Sequence, residues 1–167
     1  MHFRIEQHFD APLARVEATY VDPAFIERLG TLPKLGRPAL LEQSTDGHRV
    51  RQRVDYAFTG HLSGAVRRVV DPDRLTWTEE TTLDRTTHRT EWRIVPHHYA
   101  QLLRCAGWFQ LDDRPGGGCR RVAEADIRVS VPLVGGKVEQ ALVSGLREHA
   151  ALEERVVAEW LEQAGSP

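Results

Sequence analysis

The fold is decided by the stretch Val131-Pro132-Leu133-Val134-Gly135-Gly136-Lys137-Val138-Glu139 and by the residues that follow it to Leu161. Apolar residues recur there at helical spacing, and charged residues fill the other positions. The apolar positions are Val138, Leu142, Gly145, Leu146, Leu152, Val156 and Trp160. The charged positions are Glu139, Arg147, Glu148, Glu153, Glu154 and Arg155. The pattern predicts one helix of about six turns with a single apolar stripe, so the rest of the chain must supply a large surface to receive it.

The segments before this helix have patterns typical of strands. They are residues 2–9, 39–45, 49–58, 75–83, 88–95, 103–111 and 119–131. In 49–58, neutral residues at even positions alternate with mostly charged residues at odd positions, so one side meets a core and the other meets water. Asp46-Gly47 is a two-residue hairpin signal. An antiparallel sheet of roughly six such strands twists and curls.

Short helices are predicted at two places along these strands. Asp10 stands at the N-cap position of one helix, with Pro12 in its first turn, and Asp22-Pro23 starts a second helix that Gly30 ends. A third is predicted over residues 61–70 from apolar residues three and four apart. The order predicts an α+β fold in which a curved antiparallel sheet wraps around the long C-terminal helix, with two short helices after the first strand. A curled sheet around one helix tends to leave a cavity.

Length and composition favour one domain, spanning residues 1–164. The chain has 167 residues, of which 41% are hydrophobic and 28% charged, and its net charge is −2. No overall field therefore favours nucleic acid or an anionic membrane. No segment approaches ~18 consecutive apolar residues, and the first residues lack the apolar run of a signal peptide. We expect a cytoplasmic protein without stable membrane insertion.

Neither the cysteines nor the histidines form a metal-binding pattern. Cys105 and Cys119 lack ligand spacing, and the predicted hairpin register places Cys105 near Ala125, away from Cys119. Free thiols are expected, which suits a reducing compartment. His97-His98 has no acidic or cysteine neighbours, and no phosphate or dinucleotide motif occurs. We predict no metal and no cofactor.

The chain as a whole resembles a known superfamily. Asp10-Ala11-Pro12 after the first strand, Val131-Pro132 at the end of the last strand and the C-terminal helix resemble the START/Bet v 1-like (SRPBCC) helix-grip superfamily. The segment 131–139 is similar to a branch known only as a domain of unknown function. The resemblance implies a cavity between sheet and helix, typically used for lipids, sterols, polyketides or other apolar molecules. It implies no reaction, although polyketide aromatase/cyclases are members.

Two polar residues are predicted to face this cavity from adjacent strands. If Trp77 points inward, so does Glu79, and if Trp92 points inward, so does His88. A carboxylate and an imidazole in an apolar interior could orient a polar group of a ligand or move a proton. The alternative is that they pair with each other or face solvent at the edge of the sheet.

The other candidate ligand-binding residues have plainer alternatives. Aromatic residues on predicted inner faces line the cavity or belong to the core; they are Tyr56, Trp77, Trp92 and Phe109. Gly145 interrupts the long helix at a cost of ~1 kcal/mol relative to alanine. This cost suggests that a ligand or a closely packed strand occupies the space that a side chain would fill. Ala125 on the last strand suggests the same. Leu142 lies on the apolar stripe, and His149 lies on or beside it as a cavity residue or a core histidine.

The function expected from these residues is binding of a small hydrophobic or amphipathic ligand in an internal cavity, as a carrier or sensor. The alternative is an aromatase/cyclase-like enzyme in which Glu79 or His88 performs acid–base chemistry on a ligand held in the same cavity. A third reading is a structural or partner-binding domain with a filled interior. The sequence leaves the ligand, any reaction and the oligomeric state open.

Overall fold

The computed structural model describes residues 1–60, 64–68 and 70–164. The strands are β1 (His2–Phe9), β2 (Ala39–Asp46), β3 (Arg49–Ala57), β4 (Thr76–Asp84), β5 (Arg89–Pro96), β6 (Leu103–Asp113) and β7 (Cys119–Val129). The helices are α1 (Leu13–Tyr20), α2 (Pro23–Arg28), α3 (Gly64–Arg67) and α4 (Gly135–Gln163). The predicted α+β helix-grip fold is confirmed: an antiparallel sheet carries two short helices after its first strand and one long helix at its end.

All seven strands belong to one antiparallel sheet in the order β1-β7-β6-β5-β4-β3-β2. The first and last strands therefore pair, and from β2 to β7 each strand pairs with the next one in the chain, with α3 inserted between β3 and β4. The register places Tyr56 opposite Trp77 and Glu79 opposite Ile94. Residues two apart along a strand share a face, so these four side chains lie on the same side of the sheet. We call this side the inner face, because α4 packs on it.

Small residues let β6 and β7 approach closely on the inner face. A Cβ atom on Gly107 would lie 2.2 Å from the Glu124 carbonyl oxygen and 2.4 Å from the Ala125 Cβ. Gly107 and Ala125 are paired in the register. A strand glycine at such a close approach is typical of a point where a sheet bends. Cys105 lies opposite Ile127 rather than Ala125, so the predicted hairpin register was two residues out.

The short helices differ in detail from the prediction. Asp22 caps α2, and its Oδ1 accepts a hydrogen bond of 2.9 Å from the Ala24 amide. Pro12, not Asp10, occupies the N-cap position of α1, where no side chain supplies a cap. The helix predicted over residues 61–70 lies partly outside the described residues, and α3 is the part of it that is described.

The long helix packs on β1, β7 and α1, but its buried stripe is rotated from the predicted one. Its buried positions are Gly135, Val143, Ala150, Glu153 and Val157. Leu142 is 37% exposed, so placing it on the buried stripe was wrong. The prediction failed because hydrophobic periodicity assigns every glutamate to the solvent side, whereas Glu153 is buried against a charged partner on the sheet.

Two apolar clusters fill the ends of the space under α4. The end cluster at α1 and α2 includes Phe9, Leu13, Val16, Phe25, Leu29, Leu111, Cys119 and Val157. The Trp92 cluster contains Phe3, Trp92, Cys105, Ala125, Ile127 and Val143. Along β1, β7 and α4 a polar residue lies between the two clusters; these are Gln7, Arg121 and Glu153. We call these three residues the polar layer.

Among the residues that the structure describes, no helix combines the length and the apolar character that crossing a membrane requires. Both cysteines are free and buried. Burial raises the pKa of the Cys105 thiol to about 12 and that of Cys119 to about 11, so both sulfurs are protonated at neutral pH and are poor nucleophiles.

Candidate functional site

Beside α4, several side chains of the inner face stay partly exposed to solvent. We define the inner groove by Tyr56, Trp77, Glu79 and Phe109 on the sheet and by Gly145 on the helix. All five residues are half-buried, so each keeps surface that solvent can reach. A Cβ atom added to Gly145 would meet nothing within 4 Å. The helix packs on β1 and β7, which leaves room over the inner face of β3–β5.

Two stacked pairs of aromatic rings lie on the inner face, one in the groove and one between the groove and the Trp92 cluster. The rings of Tyr56 and Trp77 are 5.8 Å apart at 18°. The rings of Trp92 and Phe109 are 5.5 Å apart at 14°. Trp92 is 9% exposed, and its indole N–H has no hydrogen-bond partner among the described residues. A buried donor without an acceptor costs about 1–3 kcal/mol, so Trp92 carries an unused donor at the boundary of the Trp92 cluster.

The polar layer is a closed hydrogen-bond network under α4. Arg121 Nη1 donates to Glu153 Oε2 at 3.1 Å, to Gln7 Oε1 at 2.9 Å and to the Tyr20 hydroxyl at 3.1 Å. Gln7 Nε2 donates to the Ala150 carbonyl at 2.8 Å and to Glu153 Oε2 at 3.3 Å. A buried ion pair is tolerated only when further hydrogen bonds satisfy both partners, and the amide of Gln7 bridges them here.

Aromatic rings enclose the guanidinium of Arg121. Its Cζ atom lies 4.1 Å from the Tyr20 ring centre and 3.8 Å from the Phe109 ring centre. Burial alone would lower the pKa of Arg121, but Tyr20, Glu153 and Glu79 hold it above its usual value. The positive charge is therefore permanent, and it is largely used by neighbours within the protein.

Glu79 differs from the polar layer because it has no direct partner. No hydrogen bond or ion pair to its carboxyl group occurs among the described residues. Burial, followed by the charge of Glu153, raises its pKa to about 7, although Arg121 acts in the opposite direction. Its charge in turn contributes to raising the pKa of Tyr56 on β3 and of Cys105 on β6. Glu79 is thus an inward-facing carboxyl group that changes charge near neutral pH.

His88 neither lines the inner groove beside Glu79, as the sequence predicted, nor pairs with Glu79, which was the alternative. It lies in the turn before β5 with a left-handed backbone, φ 55°, so it leaves the strand alternation that places Trp92 inward. Its Nδ1 atom is 2.8 Å from Glu17 Oε2 on α1, and its side chain is 41% exposed. His88 therefore links the β4–β5 turn to α1 and does not face Glu79.

The remaining predicted residues divide between groove and core. Gly145 and His149 are half-buried on α4, whereas Leu142 is mostly outside the packed stripe. Ala125 is 3% exposed beneath Val143 in the Trp92 cluster, so it is a core residue and not a groove residue.

Sequence reasoning missed the polar layer. Arg121 shares one face of β7 with Ala123 and Ala125, because these residues are two apart along the strand, and this face is the inner one. That alternation was the available signal, because an inward arginine needs an acidic partner. The partner, Glu153, is 32 residues away on α4, and sequence spacing alone does not bring the two together.

The comparison with protein families gives a match over almost the whole chain. Residues 4–161 match the family described as "Protein of unknown function (DUF2505)". The chain belongs to this family. A comparison with curated protein sequences gives no match.

Solved structures similar to this DUF2505 protein share its fold. A Thermus thermophilus protein, TTHA0849, has a TM-score of 0.69 and 18% identity, covering 99% of this chain and 100% of that one. The Zhui aromatase/cyclase of a Streptomyces species has a TM-score of 0.63 and 13% identity, covering 100% of this chain and 99% of that one. Norcoclaurine synthase from Thalictrum flavum has a TM-score of 0.63 and 16% identity, covering 96% and 86%. These similarities establish the START/Bet v 1-like fold.

A second depression lies outside the inner face. A cleft of about 520 Å³ beside α2 is lined by Ala24, Glu27, Arg28, Gly30, Thr31, Arg37 and Trp160. It is wide open to solvent, and its charges are already paired: Arg37 contacts Glu27, and Arg28 lies 3.5 Å from Glu159. The inner groove is the stronger candidate because it combines stacked aromatic rings with an unpaired carboxyl group. No group of three or more side chains suited to a metal ion occurs in the described part of the chain.

Proposed function

We propose that this protein is a single ligand-binding domain over residues 1–164 that holds a small hydrophobic or amphipathic molecule in the inner groove, as a carrier or sensor. The observation that carries the proposal is the set of half-exposed side chains on the inner face, aromatic except for Glu79, together with the open space beside Gly145 on α4. Covering this apolar surface releases ~25 cal/mol per Å² before ordering costs. Both thiols are free and buried, which fits the proposed cytoplasmic location.

The solved structures support this proposal by analogy of fold. One Thalictrum flavum norcoclaurine synthase structure is a complex with dopamine and hydroxybenzaldehyde, at 15% identity to this chain. Small aromatic molecules therefore bind to a protein of the same fold. Nothing in that likeness transfers a residue role, so the ligand of this chain must be argued from its own groove.

A second candidate is an enzyme that uses Glu79 as a general acid or base. Glu79 favours it because its pKa of about 7 lies near the operating pH that acid–base catalysis needs. His88 does not support it, since its imidazole pairs with Glu17. Turnover of a groove-bound substrate that Glu79→Gln abolishes without weakening substrate binding would decide for the enzyme.

The binding proposal is tested with a neutral probe and a groove-filling variant. Naphthylethanol is titrated into the protein while tryptophan fluorescence is followed, because Trp77 lines the groove. We expect saturable binding that Gly145→Phe removes, since the phenyl ring would occupy the open space at this position. Gly145→Ala is the matched control and should bind like the wild type. Absence of saturable binding, or equal binding by Gly145→Phe, would refute the inner groove as the site.

A further inference from the structure

We propose that the inner groove selects ligands carrying a protonated amine, which Glu79 binds, over neutral and anionic ligands with the same apolar body. This inference rests on the proposed function, because it names the chemical class of the ligand for the same groove.

The charge of Arg121 is already paired with a carboxylate of the protein. Its Nη1 atom is held by Glu153, Gln7 and Tyr20, and its guanidinium lies between the rings of Tyr20 and Phe109. A ligand carboxylate would have to compete with Glu153, which is already in place at 3.1 Å. The charge of Arg121 is therefore balanced by Glu153 inside the polar layer.

Glu79 is a charged residue of the groove without an opposite charge in direct contact among the described residues. Arg121 and Glu153 neutralise one another, so an ionised Glu79 makes the interior beside the groove negative. At Glu79 the influence of Glu153 exceeds that of Arg121, which means that a second anion is repelled there. A carboxylate held in protein surroundings without a partner is unfavourable, and a ligand cation supplies the missing partner through a charge-assisted hydrogen bond.

The walls beside Glu79 suit an amine attached to an apolar body. Glu79 lies two residues after Trp77 on the same face of β4, about 7 Å along the strand. Trp77 stacks on Tyr56 at 5.8 Å, so the stacked pair can receive a flat or aliphatic body while the amine reaches the carboxylate. A cation close to aromatic faces is further attracted by the negative faces of the rings, and neutral or anionic groups lack this attraction.

Three probes that differ in one group test the selectivity. Naphthylethylamine, naphthylethanol and naphthylacetate are titrated into the wild type and followed by calorimetry at pH 8. We expect the amine to bind about tenfold tighter than the alcohol, and naphthylacetate to bind most weakly. In Glu79→Gln the amine and the alcohol should bind equally. Glu80→Gln is the matched control: Glu80 is the next residue on β4, faces outward and pairs with Arg93 at 2.6 Å, so its loss should leave the ranking unchanged.

The outcomes separate this inference from the proposed function. Binding of none of the three probes refutes the groove itself. Equal binding of amine and alcohol by the wild type, tightest binding of naphthylacetate, or an amine preference that survives in Glu79→Gln overturns the amine selectivity alone. Retained alcohol binding shows that Glu79→Gln is folded.

A measurement on the wild type keeps the test decisive if Glu79→Gln does not fold. The groups that face Glu79 are Glu153 from α4, Arg121 from β7, Tyr56 from β3 and Cys105 from β6. Between pH 8 and pH 6 the ratio of amine to alcohol affinity should fall about fivefold as Glu79 gains a proton. A ratio that does not change over this range overturns the inference.

Discussion

Two acidic residues of the interior, Glu153 and Glu79, have opposite surroundings. Glu153 is 9% exposed and receives hydrogen bonds from Arg121 and Gln7. Glu79 is half-buried in the groove and has no direct partner in the described residues. The first carboxylate is part of what holds α4 on the sheet, whereas the second makes no such contact and is the group that we propose binds a ligand. A buried charge with complete partners indicates architecture, and one without them indicates a site.

The largest effect is expected where the closed network is broken. Glu153→Leu leaves the Arg121 guanidinium buried without its anion, which should lower the free energy of unfolding by about 3–5 kcal/mol. Urea denaturation followed by circular dichroism measures the loss. The double variant Arg121→Met with Glu153→Leu removes both charges and should recover most of the stability. A double variant no more stable than the single one would show that the ion pair itself, and not the stranded charge, matters.

The pH dependence of stability tests the surroundings of Glu79, the carboxyl group without a direct partner. The pKa of Glu79 is raised to about 7 in the folded protein, so its ionisation opposes folding. The favourable contribution of the protonated form is fully present below the ordinary carboxyl pKa and is lost as the pH rises through about 7. We expect the free energy of unfolding to fall by on the order of 1–3 kcal/mol between pH 4.5 and pH 8. The lower end of this range allows for screening by solvent, because Glu79 is only half-buried.

Glu79→Gln should remove this part of the pH dependence and should be more stable than the wild type at pH 8. Subtracting its pH profile from that of the wild type isolates Glu79 from all other titrating groups. Parallel profiles for the two proteins would mean that the carboxyl group is solvated like a surface residue, and the contrast with Glu153 would lose its electrostatic basis.

Two glycines sharpen the distinction between packed wall and open groove. Gly145→Ala places a methyl group in open space and should stabilise α4 by ~1 kcal/mol. Gly107→Ala places a Cβ atom 2.4 Å from the Ala125 Cβ, so it should destabilise the sheet. Thermal unfolding of both variants measures the difference in sign. A destabilising Gly145→Ala would mean that α4 has a neighbour at this position in solution.

The architecture was predictable because it depends on patterns that repeat. Alternation along Arg49–Ala57, the Asp46-Gly47 turn and the long periodic segment after Gly135 each report local geometry, and together they define a sheet around a helix. The details that failed depend on long-range partners. Glu153 is buried because Arg121 lies opposite it and neutralises its charge. A hydropathy pattern does not show that a distant residue will neutralise a charge. The groove residues Tyr56, Trp77 and Glu79 followed from strand parity, whereas Leu142 was displaced with the helix stripe.

His88 shows how one residue at an element boundary changes an interpretation. Parity from Trp92 would place it inward only if β5 began at His88, but the strand begins at Arg89 and His88 adopts the left-handed conformation of a turn. Its imidazole then reaches α1 and pairs with Glu17. Histidine is tolerated in this conformation more readily than branched residues are.

The smallest effect is therefore expected at His88. In the Glu17–His88 pair 41% of the histidine side chain and 11% of the glutamate side chain are accessible. Because removal of the imidazole lets water reach Glu17 from the histidine side, His88→Ala should lower the free energy of unfolding by only about 1 kcal/mol. Chemical denaturation at pH 6 measures it, and a double-mutant cycle with Glu17→Gln separates the pair from other contacts. Affinities for naphthylethylamine and naphthylethanol should stay unchanged, because the imidazole does not face Glu79. A selective loss of amine binding in His88→Ala would join His88 to the groove after all and would erase the distinction between residues that hold the fold and residues left for a ligand.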